Sequence, residues 1–443
     1  MRRRGELFDS VTAYCGAAVG GVTLFLPITF SWTENSTPYR ISSLINSVPR
    51  GAAIGVIVAV AIAVLMRTFV GAAAAWWWAF GAAIALLVNH IIGRQVSAPE
   101  LLTTQNYVDS VCGGVLLGAL GAAALRCWKS GRQGPGFGFA LGGAGTFVVG
   151  DLAEVLEIRD QDPYSVLETP PRTLIAIAIF FLFISALRHR TRIGRTPPPP
   201  GVSVELPITP ILAATVLALV VLAVTEWLSR QYTEAARYDG HGVEIGVAIA
   251  ASALAALAAA MLLPGRDGTG ALLAVPLVAA ADALGDTPRP WWLVLVLLAL
   301  TGAGILLGAR LPSATVAILA ILGLGLFDLL SGAHNSDVRF GIGSAGLALI
   351  AGYCCGMARP HYPPSGVLAI AALFLPSLIT ALPRREIAWP DRPGLPEPGT
   401  PARVALLLTA GCAAGLLVLY RARPRHRHRP DEAPPGDAVA TSA

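Results

Sequence analysis

The sequence predicts an all-α, polytopic integral membrane protein of about 14 (12–14) transmembrane helices in two bundles. Three observations carry that prediction. Of 443 residues, 54% are hydrophobic and 13% charged, with a mean hydropathy of +0.64. That balance leaves a soluble protein too little polar surface to cover itself. Apolar runs recur along nearly the whole chain, each close to the roughly 20 residues that a helix needs to cross a hydrocarbon core about 30 Å thick. Basic and acidic residues, finally, sort into alternate connections. A membrane barrel would instead alternate apolar and polar residues over segments of about 10, and 51–66 and 245–263 show no such alternation.

The first span, 11–30, follows Met1-Arg2-Arg3-Arg4. Its length, and the lack of a small-x-small site before Ser31-Trp32-Thr33-Glu34, predict a retained helix and not a cleaved export signal. Spans at 51–66, 70–92, 107–127, 136–156 and 172–187 complete a first bundle over 1–187. A basic, proline-rich linker at 188–207, containing Thr196-Pro197-Pro198-Pro199-Pro200-Gly201, follows it. A second bundle over 208–420 holds spans at 208–229, 242–263, 269–285, 291–308, 312–331, 340–357, 363–382 and 401–420. The apolar signal is weakest at 269–285 and 340–357, and the count falls to about twelve without them. The tail, 421–443, is basic and then polar, with the composition of a disordered segment. Connections between spans stay near or below roughly 20 residues, short of the about 50 that a folded domain needs. A fused ATPase, a kinase and a large outer enzyme domain are thereby excluded.

Charge sets the threading. With the N-terminus inside, the inner connections hold Arg2 to Arg4, Arg67, Arg126, Lys129, Arg132, Arg188 to Arg195, Arg266, Arg310, Arg359 and Arg421 to Arg429. The inner set has roughly 19 basic and 7 acidic residues, against roughly 13 basic and 20 acidic outside. Both termini are therefore expected in the cytoplasm, in a plasma (inner) membrane. Arginine supplies every basic charge but Lys129, the usage of a GC-rich genome such as an actinobacterium's. The six cysteines (Cys15, Cys112, Cys127, Cys354, Cys355 and Cys412) fall in or beside apolar segments and read as packing residues, not as a disulfide frame or metal site.

Ionisable groups inside a spanning helix are costly and mark candidate sites. The spans that run outward carry Asn89 and His90, Asp151 and Glu154, Glu226, Asp282 and Asp328 one or two turns before their outer ends, and Asp109 and Glu244 lie near the outer starts of returning spans. Asp151 and Glu154, three apart, share a helical face. Like charges side by side raise the proton affinity of one, which suits proton coupling. The alternative is that such acids reach the headgroup region and meet water or an arginine such as Arg159 or Arg339. Glycine pairs at Gly16/Gly20, Gly51/Gly55, Gly114/Gly118, Gly138/Gly142, Gly304/Gly308, Gly352/Gly356 and Gly411/Gly415 predict close helix packing. Pro27, Pro207, Pro210, Pro276, Pro312 and Pro376 are candidate kinks. Leu24-Phe25-Leu26-Pro27 recurs as Leu373-Phe374-Leu375-Pro376. Trp291-Trp292 suits an outer aromatic belt, and Trp76-Trp77-Trp78 suits belt or packing. There is no GxxxxGK[ST] loop, HExxH or CxxC, and no cofactor is expected.

Six spans, a basic central loop at Arg188 to Arg195, a second bundle, a long outer loop after the first span and short basic inner loops resemble the major facilitator superfamily, whose fourteen-helix branch places two extra helices between its halves. That family's GxLaDrxGrr loop is represented only by Leu65-Met66-Arg67-Thr68-Phe69-Val70-Gly71, which keeps one arginine and lacks the aspartate, so no residue role carries over. The resemblance implies a secondary transporter or exporter driven by the proton gradient, its substrate passing between the bundles. Three other readings stay open: a polyprenyl- or lipid-linked flippase, a membrane glycosyltransferase with Glu34 as acid, and a structural partner in an envelope assembly. The expected partners are the bilayer, a small-molecule or lipid-linked substrate, and anionic lipids at the tail. No nucleic acid is expected, and the oligomeric state is left open.

Overall fold

The computed structural model describes residues 2–25, 38–70, 72–93, 99–129, 133–150, 170–190, 207–234, 242–285, 291–331, 337–382 and 399–424. They contain fourteen α-helices and no strand. Six come first: α1 Arg2–Phe25, α2 Pro38–Thr68, α3 Ala72–Gly93, α4 Pro99–Lys129, α5 Gly134–Val149 and α6 Arg172–Arg190. Eight follow: α7 Thr209–Glu234, α8 Gly242–Leu262, α9 Thr269–Leu284, α10 Trp291–Arg310, α11 Ala314–Ser331, α12 Asp337–Met357, α13 Pro363–Ala371 and α14 Thr400–Ala422. Residues 191–206 of the predicted linker and the tail beyond Pro424 lie outside the described residues, as does Glu34.

Among the described residues, twelve segments, one of them Pro363–Ala381, are long and apolar enough to cross a membrane. Helices α5 and α9 have 16 residues each, about 24 Å at 1.5 Å per residue and short of a full core. Large apolar side chains point outward on many helices, with Phe180, Leu254, Leu319 and Leu417 all exposed. On a chain this apolar, such a surface faces lipid. The protein is an all-α polytopic membrane protein.

All fourteen predicted spans are helical at their centres, and two depart in form. Helix α5 stops at Val149, where Gly150 turns to a positive φ of 68°, well before the predicted end at 156. The predicted span 363–382 is not one helix. Helix α13 covers nine residues, a 3-10 turn follows at Ala372–Phe374, the backbone is extended at Leu375, and a second 3-10 turn covers Leu378–Ala381. Pro376 accounts for the break: it has no N–H to continue the ladder, and it pushes the preceding residue out of the helical region. Ser377 then caps the second turn, its Oγ accepting from the Ile379 N–H at 3.1 Å. In that span 89% of the apolar window is buried. It touches α1, α2, α4, α5, α7, α9 and α14. Broken backbone at membrane depth survives where protein surrounds it, as here.

Lipid supplies no hydrophobic force between helices, so packing depends on close approach at small residues. On the α2–α4 seam, a Cβ on Gly114 or Gly118 would lie 2.5 or 2.3 Å from the Gly55 or Ala59 carbonyl oxygen. On the α1–α5 seam, Gly138 and Gly142 meet the Ser10 and Tyr14 carbonyls in the same way. On the α10–α12 seam the glycines are mutual: Gly304 and Gly308 meet Leu349 and Tyr353, while Gly352 and Gly356 meet Thr301 and Ile305. The predicted pairs at Gly16/Gly20, Gly51/Gly55 and Gly411/Gly415 also touch neighbouring helices, mostly through side chains. The two groups of helices interlock, since α2 packs on α7 and α13 while α5 packs on α10 and α12. Among the described cysteines all are free, and Cys112, Cys354 and Cys412 are buried.

Candidate functional site

Three of the sequence candidates converge. Asn89 and His90, near the end of α3, meet Asp109, in the first half of α4. Asn89 Nδ2 donates to Asp109 Oδ1 at 2.8 Å, and His90 Nε2 lies 3.1 Å from Asp109 Oδ2. Asn89 Nδ2 also reaches the Gln105 carbonyl, at 3.2 Å. Arg172, the first residue of α6, donates from Nη2 to the His90 carbonyl at 2.5 Å. His90 and Asp109 are only 8% and 7% exposed, so a carboxylate and an imidazole face each other almost out of water. One turn back on α4, Asn106 Nδ2 donates to Ser47 Oγ of α2 at 2.8 Å, and Asn106 Oδ1 is buried without a partner. Four helices thus meet at a polar core with a carboxylate–imidazole pair at its centre and a spare acceptor.

The other candidates go elsewhere. Glu226 on α7 takes a two-pronged bond from Arg50 on α2, at 2.6 Å from Nε and 3.0 Å from Nη2, with Arg230 3.8 Å away. Buried Asp328 on α11 is ion-paired with Arg339 on α12. This is one of the arginine contacts that the sequence offered as the alternative to a functional role. Asp282 is half-buried near the end of α9, and Glu244 near the start of α8 has Oε2 buried without a partner. Asp151, Glu154 and Arg159 lie outside the described residues.

At the opposite end, connections are tied together through arginine. Arg126 of α4 donates to the Arg67 carbonyl at 2.9 Å, and the Arg67 guanidinium lies 4.9 Å from the centre of the Tyr362 ring. The Tyr362 N–H donates to Asp267 Oδ2 at 2.7 Å. Burial pushes the Tyr362 phenol above its usual range, with Arg67 opposing. Arg423, just after α14, donates to the Gly265 carbonyl at 2.8 Å, and Arg266 donates back to the Arg423 carbonyl at 2.9 Å. At the start of α1, Glu6 accepts from the Gly134 N–H of α5 at 3.5 Å. Asp9 there takes bonds from Ser185, Arg188 and His189 of α6 at 3.2–3.3 Å. The start of α1 and the end of α14 therefore lie at the same end of the bundle.

Asp9 and Asp267 are sites that sequence reasoning missed. Both are buried, yet in sequence Asp9 precedes the first predicted span and Asp267 lies in the polar stretch Arg266-Asp267-Gly268-Thr269, so each reads as a loop charge. The tryptophan triplet divides: Trp76 is buried and stacks on His189 at 5.5 Å, Trp77 packs edge-on against Phe80 and Phe183, and Trp78 is exposed. Trp291 and Trp292 are both exposed at the start of α10, as a belt position requires.

No protein-family model matches the chain, and no curated protein matches it. Among solved structures, it is similar to a crystal structure of the nucleoside transporter NupG, at 11% identity and a TM-score of 0.35, over 95% of this chain and 99% of that one. A score of that size reflects length and helical content that many polytopic proteins share, and no property of that protein passes to this chain.

Proposed function

We propose that this chain is a proton-coupled secondary transporter of the plasma membrane, with both termini in the cytoplasm and the His90–Asp109 pair as its proton site. The observation that carries this reading is the burial of that pair between α3 and α4, beside Asn89 and the unpartnered Asn106 Oδ1. A carboxylate and a histidine so enclosed are costly as static structure, and histidine is the side chain whose ordinary titration spans the physiological range. Adding or removing one proton changes the net charge of the pair, and with it the balance of contacts that joins α3, α4 and α6.

Three features support the orientation and the carrier reading. The arginines at positions 67, 126, 188, 266 and 423 gather at one end, as a cytoplasmic face requires. A broken element at the centre, touching seven helices, gives the bundle a segment that is not held by a continuous ladder. Arg50–Glu226 near one end and Arg67–Tyr362 at the other both tie α2 to the second half of the chain.

The test is transport by purified protein in liposomes under an imposed pH gradient, screened against panels of amino acids, sugars, nucleosides and amphipathic cations. The expected result is gradient-driven flux of at least one class, lost in Asp109→Asn. Flux that ignores the gradient, or that survives in Asp109→Asn, would refute the proton site. Flux of none in the panels, with deletion of the gene altering a lipid-linked glycan, would refute the carrier reading.

A further inference from the structure

A second carboxylate–imidazole pair lies at the other end of α6. Arg172, which holds the His90 carbonyl, opens that helix, and His189 is its last residue but one. About 26 Å of helix separates the two, at 1.5 Å per residue. His189 Nε2 lies 3.2 Å from Asp9 Oδ2 of α1. Asp9 Oδ1 is occupied separately, by the Ser185 hydroxyl at 3.3 Å and by Arg188 Nη1 at 3.2 Å. The flat face of the His189 ring stacks on the Trp76 indole of α3, with centroids 5.5 Å apart and planes within 6°. Asp9 and Trp76 are both buried, and the His189 side chain is 16% exposed.

This setting favours a positive charge in three ways. Asp9 faces Nε2, the indole face attracts a cation, and His189 sits in the last turn of α6, where the free carbonyls of the helix carry partial negative charge. The helices that pack extensively on α6 are α1 and α3. From α1 come Asp9 and, a turn earlier, Glu6, which accepts from the Gly134 N–H. The first turns of α3 carry no ionisable residue. On α6 itself, exposed Arg190 follows His189, and Arg188 is engaged by Asp9 and by the Phe8 ring 5.2 Å away. With Arg188 balancing Asp9, the cluster carries no net charge while His189 is neutral and one positive charge when it is protonated.

We propose that His189, clasped by Asp9 and Trp76, is a second proton-binding site, at the arginine-bearing end of the bundle. Nε2 faces a carboxylate oxygen and keeps its hydrogen in both states, so the proton is gained and lost at Nδ1. Histidine is the side chain whose ordinary titration falls in the range of cellular pH. Protonation turns the bond between α1 and α6 into a charge-assisted one and adds a cation–π attraction to α3. Three helices are therefore drawn together when the proton binds and eased apart when it leaves. On the orientation proposed above this end faces the cytoplasm; the site itself depends neither on transport nor on the His90–Asp109 pair.

The test is tryptophan emission of the purified full-length chain in detergent, titrated from about pH 5 to 9 around histidine's ordinary range, with the protons bound over that range counted as a second readout. A stacked imidazolium quenches an indole more strongly than the neutral ring does, so emission should rise with pH in one step. His189→Gln keeps a donor for Asp9 but cannot take up a proton; it should lose the step and bind about one proton fewer than wild type. Trp76→Phe should lose the step while keeping the proton, which decides the matter should His189→Gln fail to fold. Asp109→Asn should keep the step although it fails in gradient-driven transport, so that failure of one site is told apart from failure of the other. A flat wild-type profile, or a step of wild-type size in either His189→Gln or Trp76→Phe, would overturn the proposal. A step lost in Asp109→Asn would assign the signal to the first pair and overturn it too.

Discussion

Substitution of Gly352 by alanine tests the account of how the bundle is held. The added Cβ would lie 2.1 Å from the Thr301 carbonyl oxygen and 3.0 Å from the Ile305 nitrogen, both backbone atoms that no rotamer change can move aside. Ordinary contact needs about 3.4 Å, so α10 and α12 must part by roughly 1 Å, a gap that already forfeits a quarter to a half of each van der Waals well along the seam. Gly304, Gly308 and Gly356 lie on that same seam and lose contact together. Overpacking of this kind costs about 1–3 kcal/mol. Alanine's better helix propensity returns up to about 1 kcal/mol, and the 2.1 Å backbone clash puts the overpacking in the upper part of its range, which leaves a net loss of up to about 2 kcal/mol. Gly323 on α11 is the control, because its Cβ would meet nothing within 4 Å. Unfolding is followed with a thiol-reactive fluorophore, which reports exposure of buried Cys354 on α12 and Cys412 on α14. Gly352→Ala should melt below wild type, and Gly323→Ala should melt at or above it. Equal melting of the two variants would refute the close-contact account of the seam.

Other outcomes follow from the ion pairs and the threading. Asp328→Asn leaves the Arg339 guanidinium without its carboxylate in a setting where the aspartate is 9% exposed, and should cost roughly 3 kcal/mol. The double variant Asp328→Asn/Arg339→Gln should recover part of that loss in the same melting assay; if the two losses simply add, the pair is not coupled. Reporter fusions after Arg190 and after Arg423 should both respond as cytoplasmic, and opposite responses would break the threading.

Much of the architecture was legible because hydropathy and charge are local signals. Thirteen of the fourteen apolar runs hold a single α-helix over most of their described length, including 269–285 and 340–357, where the signal was weakest, and the exception is 363–382. The glycine pairs announced close contacts, but not which helix would be met, because a partner is a property of the fold. Pro376 was legible as a kink. That it would divide the span into short pieces enclosed by seven helices was not, since hydropathy scores a lipid-facing run and a protein-enclosed run alike. Asn89, His90 and Asp109 were each found from the cost of polar groups in apolar spans, yet their convergence depends on how α3 lies against α4. Asp9 and Asp267 were passed over for the converse reason: both fall outside the predicted spans, where a charge is expected to meet water and nothing local records the enclosure.

The central claim is that the buried His90–Asp109 pair takes up and releases a proton. Proteoliposomes adsorbed on a capacitive sensor and given a sudden step in outside pH report that event directly, without any substrate. The account predicts a transient charge displacement in wild type that disappears in Asp109→Asn and is reduced in His90→Gln. A displacement of wild-type size in Asp109→Asn would contradict it.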